Sequence, residues 1–139
     1  MTSGLLVAFY IILVHYVADF VLQTEEMATR KSKEFGQLIM HTMVYSFSWL
    51  MGAAFLFSQD CDASILGKCV DTVKVFTFVG ITFVAHTITD YLTSRWTSKL
   101  FASKTYYTGI PNFGAFSAIG LDQVLHYAQL FLTFYYLSK

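Results

Sequence analysis

The chain has 139 residues and a formal net charge of zero, from nine basic and nine acidic side chains. It is 55% hydrophobic, 18% aromatic and 13% charged, with a mean hydropathy of +0.53, too apolar for an ordinary soluble domain of this length. No arginine-rich or basic aromatic segment occurs, which argues against a nucleic-acid partner, and the length allows one domain, residues 1–139.

Four apolar tracts account for the composition. The first, Ser3 to Leu22, has no Lys or Arg before it and is too long for the apolar region of a signal peptide, so it is expected to stay as a span. It carries His15 and Asp19. A connection from Gln23 to Gln37 follows, with Arg30, Lys31 and Lys33, then a second tract from Leu38 to Phe57 that begins with His41 and Tyr45. The middle connection, Ser58 to Thr72, has Lys68 against Asp60, Asp62 and Asp71, and holds both cysteines, Cys61 and Cys69. The third tract, Val73 to Leu92, carries His86 and Asp90. Arg95, Lys99 and Lys104 lie in the connection from Thr93 to Asn112, and Pro111-Asn112-Phe113-Gly114 reads as a turn into the fourth tract, Phe113 to Leu137. Gly114 and Gly120 are read as points of close helix contact.

Each tract is long enough to cross a hydrocarbon core of about 30 Å as a helix. The expected fold is therefore all-α, a four-helix transmembrane bundle. Lys and Arg bias short loops towards the cytoplasm, which puts the first and third connections inside, the middle one outside and both termini outside. Cysteines confined to a short loop on the oxidising side are expected to form a Cys61–Cys69 disulfide.

All four histidines fall inside these tracts, and three stand four residues from an aspartate: His15 and Asp19, His86 and Asp90, Asp122 and His126. Positions i and i+4 share a helix face. With the expected topology these six residues and His41 all lie in the inner half of the bilayer. An aspartate at mid-membrane costs about 2.5 to 3.5 kcal/mol on insertion scales, so the three are expected to turn inward and converge. Imidazole and carboxylate without thiolate suit Zn foremost, or Fe or Mn, with one or two ions held among His15, Asp19, His41, His86, Asp90, Asp122 and His126. A metal-free hydrogen-bond network and a proton or ion relay are the other readings of the same residues. Gln23 stands beside the cluster as a hydrogen-bond donor or as the polar end of a span, Gln123 is expected to make an interhelical hydrogen bond, and Tyr45, one turn from His41, is a residue to orient it, to act as an acid or simply to pack. The basic residues of the inner loops follow from topology alone, or gather an anionic headgroup or phosphate above the metal.

The segments His15-Tyr-Val-Ala-Asp19-Phe20-Val-Leu22-Gln23, His41-x-x-x-Tyr45, His86-x-x-x-Asp90-Tyr91 and Asp122-Gln123-x-x-His126 resemble the signature of a small bacterial and phage integral-membrane family known only as a domain of unknown function. The resemblance covers essentially the whole chain. It implies a multi-pass protein of the bacterial inner membrane and singles out the same polar residues, without a substrate. It also implies a basic residue about three positions after Asp90, where this chain has Thr93. More loosely, the His/Asp content is similar to that of membrane proteins labelled metal-dependent hydrolases.

The leading expectation is thus an intramembrane metal-dependent hydrolase acting on a lipid-linked or membrane-presented substrate, with Asp19 and Asp122 as bridging ligand or general base. A metal-ion or proton carrier, which would need a homo-oligomer, and a structural or signalling bundle with a polar core are the alternatives.

Overall fold

The computed structural model describes residues 4–60, 68–103 and 112–139. Helix α1 spans Gly4–Tyr16 and runs directly into a π-helical turn, Val17–Val21, closed by Leu22 N–H donating to the Val17 carbonyl at 3.0 Å. A short helix, α2, spans Glu25–Arg30, and α3 spans Phe35–Leu56. Strands β1 (Ser58–Asp60) and β2 (Lys68–Val70) pair antiparallel, and α4 (Thr72–Ser103) and α5 (Phe113–Leu137) complete the chain.

The four long helices alternate in direction. Tyr10 packs on Phe55 and His15 on Tyr45; Trp49 meets Phe78 and His41 meets His86; His126 meets Asp90 and Phe116 meets Phe101. In each pair of helices the partner's number falls as the first rises, the mark of antiparallel neighbours. Gly52 permits the α1–α3 approach, since a Cβ there would stand 3.1 Å from Val14 Cγ1 and 3.0 Å from Trp49 Cε3. Gly120, expected at a close contact, instead has open space beside it.

The side chains are arranged inside out relative to a soluble bundle. His15, His41, Thr42, Thr82, His86 and His126 are fully or almost fully buried, whereas Phe47 is 74% exposed, Met51 81% and Phe76 66%. So much contiguous apolar surface is stable only against lipid or another apolar body. Three helical stretches, Gly4–Val21, Phe35–Leu56 and Thr72–Ser103, are long and apolar enough to cross a membrane. The interior divides along its length: Ile11, Trp49, Phe57, Phe78 and Leu130 form an apolar half near the β-hairpin, and the polar residues gather in the other half.

Three features depart from the sequence reading. The first connection contains α2, capped by Thr24, whose Oγ1 accepts from Met27 N–H at 3.2 Å, with Met27 tucked inward as its buried residue. The middle connection contains the β-ladder, with Cys69 opposite Gln59, and α4 begins on a cap in which Lys74 N–H donates to Asp71 Oδ1 at 3.1 Å. Finally, α4 continues past Leu92 to Ser103, giving it 32 residues and a length of about 48 Å, well beyond the hydrocarbon thickness. Cys61, Pro111 and Lys104 lie outside the described residues, and so therefore does the expected disulfide. Asn112, at φ 59, adopts the left-handed turn conformation that asparagine tolerates, just before α5.

Candidate metal centre

Helical spacing puts each His/Asp pair on an inward face, and antiparallel packing brings the faces to one level. Within a helix the pairs are loosely spaced: His15 Nε2 to Asp19 Oδ2 is 3.8 Å, His86 Nε2 to Asp90 Oδ2 is 3.7 Å and His126 Nε2 to Asp122 Oδ1 is 3.4 Å. The shorter approaches run between helices. His41 Nε2 lies 3.1 Å from both Asp19 Oδ1 and Asp90 Oδ2, and 3.2 Å from His86 Nε2; His126 Nε2 lies 3.2 Å from Asp90 Oδ1.

Two triads of ligand atoms result: Asp19, His41 and His86, and His86, Asp90 and His126. In the first, the three separations are 3.1, 3.2 and 3.7 Å. Tetrahedral ligands with zinc bonds of 2.0–2.1 Å stand about 3.3 Å apart, so the triad already approximates one face of such a polyhedron. Asp19 Oδ1 is buried and has no hydrogen-bond partner among the described residues, an acceptor that a cation would satisfy. The donor set therefore fits a divalent ion. Asp90 turns Oδ2 towards His41 and Oδ1 towards His126, so it touches both triads.

His15 belongs to neither triad, because both its ring nitrogens are engaged. Gln123 Nε2 donates to Asp19 Oδ2 at 3.2 Å and to Asp122 Oδ2 at 3.0 Å, which turns Gln123 Oε1 towards His15 Nε2, 2.8 Å away. An amide oxygen only accepts, so His15 carries its proton on Nε2, and Nδ1 accepts from the Tyr45 hydroxyl at 2.7 Å. Tyr45 thus orients His15 rather than His41, and its ring stacks on His86 with centroids 3.7 Å apart. The interhelical role expected of Gln123 is met. Asp122 lies at the edge of the cluster, 14% exposed, with Thr93 Oγ1 2.5 Å from its Oδ1. Thr93 stands where a basic residue was expected.

The cationic group at the cluster comes from elsewhere. Lys31, the residue just after α2, reaches in so that Nζ donates to Asp90 Oδ2 at 2.8 Å and lies 3.4 Å from His41 Nε2. Its side chain is 16% exposed. Burial works against the Lys31 ammonium, but Asp90 and Asp19 outweigh it and hold its pKa above the usual lysine value. The sequence placed Lys31 in a basic ring at the membrane face, not against Asp90; Thr24 followed by Glu25 and Glu26 is the helix-start signal that would have revealed α2.

A cavity of about 400 Å³ opens above the cluster, with Asp19, Asp90, Asp122, Gln123 and Lys31 in its lining. Between residues 7 and 139 the chain matches the model of a family described as a protein of unknown function, DUF3307. The chain belongs to this family. No curated protein and no solved structure matches it. Membership agrees with the resemblance drawn from the four His/Asp motifs, and the family description carries no activity. Any chemistry for this DUF3307 chain must come from the cluster and cavity themselves.

Proposed function

We propose that the protein is a four-span membrane metalloenzyme, with α5 as the fourth span, and that it acts as a hydrolase on a lipid-linked or membrane-presented substrate. The observation carrying this reading is the triad of Asp19 Oδ1, His41 Nε2 and His86 Nε2, three buried ligand atoms whose spacing matches a tetrahedral face. Three protein ligands and an open fourth position are the pattern of catalytic rather than structural zinc.

A divalent ion in that position supplies a Lewis acid and lowers the pKa of water at the open position towards about 7. The remaining roles belong to the chain. Asp90 is the residue disposed to bridge towards His126 if a second ion binds. Gln123 holds Asp19 Oδ2, leaving Oδ1 for the ion, and His15 and Tyr45 hold Gln123 in turn. Asp122, at the cavity edge, is the general base, with Thr93 and Gln123 fixing its two oxygens. Zn fits the donor set best, with Fe or Mn as substitutes.

The positive-inside distribution of Arg30, Lys31, Lys33, Arg95 and Lys99 supports a cavity on the cytoplasmic side of a bacterial inner membrane. A second reading, a metal-free polar core, is favoured by the Lys31–Asp90 pair, which already neutralises one carboxylate. Elemental analysis of protein purified in detergent without chelator separates the two. Near-stoichiometric Zn, Fe or Mn that disappears in His41→Ala and His86→Ala is expected; folded wild-type protein that stays metal-free after Zn, Fe or Mn is added back overturns the metalloenzyme.

A further inference from the structure

The cavity above the cluster has a lining of three kinds, one of them apolar, from Phe20, Ala28, Phe101 and Ile119. Its floor is acidic, formed by Asp19, Asp90 and Asp122. One wall is hydroxylic: Thr29 and Ser32 from the α2 end, and Thr93, Ser94, Thr97 and Ser98 from the overrun of α4 beyond the expected span. Thr93 with Thr97, and Ser94 with Ser98, are one helical turn apart and so repeat along one face, about 6 Å from one to the next. Among the described residues, Lys31 is the one basic side chain in the lining. Ser94 Oγ and Gln23 Oε1, also in the wall, are buried atoms with no hydrogen-bond partner among the described residues.

We propose that this cavity is a chamber for a phosphate group and that Lys31 is its anion-binding residue. The inference rests on the metal reading above. Lys31 Nζ now sits against Asp90 Oδ2 and His41 Nε2, atoms at the edge of the proposed ion site. A divalent ion on His41 takes up the nitrogen lone pair and repels the ammonium, and the four-carbon stem lets Nζ turn into the cavity without moving the backbone. With Asp19 and Asp90 committed to the ion, the remaining polar lining is the Lys31 ammonium, Asp122 at the edge, Gln23 and Gln123, and a row of hydroxyls of which Thr29 and Thr93 already donate within the protein, beside apolar Phe20, Ala28, Phe101 and Ile119.

The Lys31 ammonium and the free hydroxyls match a tetrahedral oxyanion with several acceptor oxygens better than a cation, and the apolar side suits the adjoining part of an amphiphile. The volume lies near the lower end of small-molecule pockets and suits a headgroup, not an acyl chain. Phe20 and Phe101 line the same cavity while remaining 45% and 40% exposed, so one lip is continuous with the apolar outer surface. A phosphate can therefore arrive on an amphiphile or free.

The full chain in maltoside micelles, loaded with Mn2+, tests this through paramagnetic broadening of 31P resonances by titration with inorganic phosphate and, separately, with a soluble short-chain phosphatidic acid. Wild-type protein is expected to bind at least one, the tighter of the two naming the source. Lys31→Met should keep its Mn2+ yet bind about tenfold more weakly or worse, while Lys31→Arg retains binding. Lys33→Met, outside the lining, should behave as wild type. Binding of neither probe to Mn2+-loaded protein, or equal binding by Lys31→Met, overturns the chamber alone; failure of wild type to take up Mn2+, Zn or Fe overturns the metal reading and this inference together.

Discussion

Asp19 Oδ1 lies 3.1 Å from His41 Nε2 on another helix, closer than Asp19 approaches His15, its neighbour one turn back, at 3.8 Å. The His-x-x-x-Asp spacing therefore works indirectly. It turns the pair to one face, and the shortest contacts form across helices, where packing rather than spacing sets the distance.

This geometry separates ligands from the residues that position them. His86→Ala removes an atom shared by both triads and should abolish metal uptake, whereas His15→Ala leaves the triads intact and should weaken metal affinity roughly 10- to 100-fold through a loosened Gln123. Competition with a chromophoric chelator measures both. Loss of uptake in both variants alike would make His15 a ligand.

In metal-free protein, Lys31 is the counter-charge of a carboxylate only 2% exposed. Lys31→Met should destabilise that form by about 3 kcal/mol, because breaking a buried pair strands the remaining charge, and added Zn should recover most of the loss. Thermal unfolding in detergent with and without Zn gives the comparison; an unchanged midpoint in the metal-free form would show that the pair contributes nothing.

Gly52 governs the distance between α1 and α3, and with it the reach from Asp19 to His41. Gly52→Val should cost about 1–3 kcal/mol by overpacking against Trp49 and Val14, and should lower metal affinity although residue 52 lies far from the cluster along α3. Full stability with full metal content would mean that the helices relax independently of the site.

The proposed topology puts the middle connection outside. After reduction, Cys61 and Cys69 should react with a membrane-impermeant thiol reagent in intact spheroplasts, and without reduction they should not. Labelling only in inverted vesicles would reverse the orientation and move the cavity to the opposite face.

Much of this architecture is legible in the residues. Phe113–Leu137 coincides with the observed α5, and the second and third tracts begin within a few residues of α3 and α4, because apolar length alone marks where a helix can meet lipid. The end of α4 was not legible: Ser94, Arg95, Thr97, Ser98 and Lys99 look like a loop by hydropathy, yet a helix satisfies its own backbone hydrogen bonds and continues through polar sequence. Nor was the π-helical turn at Asp19, which hydropathy does not encode.

By itself, the sequence determined an all-α chain with membrane-length helices and a set of seven His and Asp residues bound to face inward, since charge in lipid is too costly to leave exposed. Only the tertiary structure decided which of them share a point in space. Distances between helices depend on packing at places such as Gly52, and the fate of each imidazole depends on neighbours from other helices. Thus His15 is occupied by Tyr45 and Gln123, and Asp19, His41 and His86 converge. Lys31, which charge counting assigned to the membrane surface, lies within the cluster because α2 folds back over it.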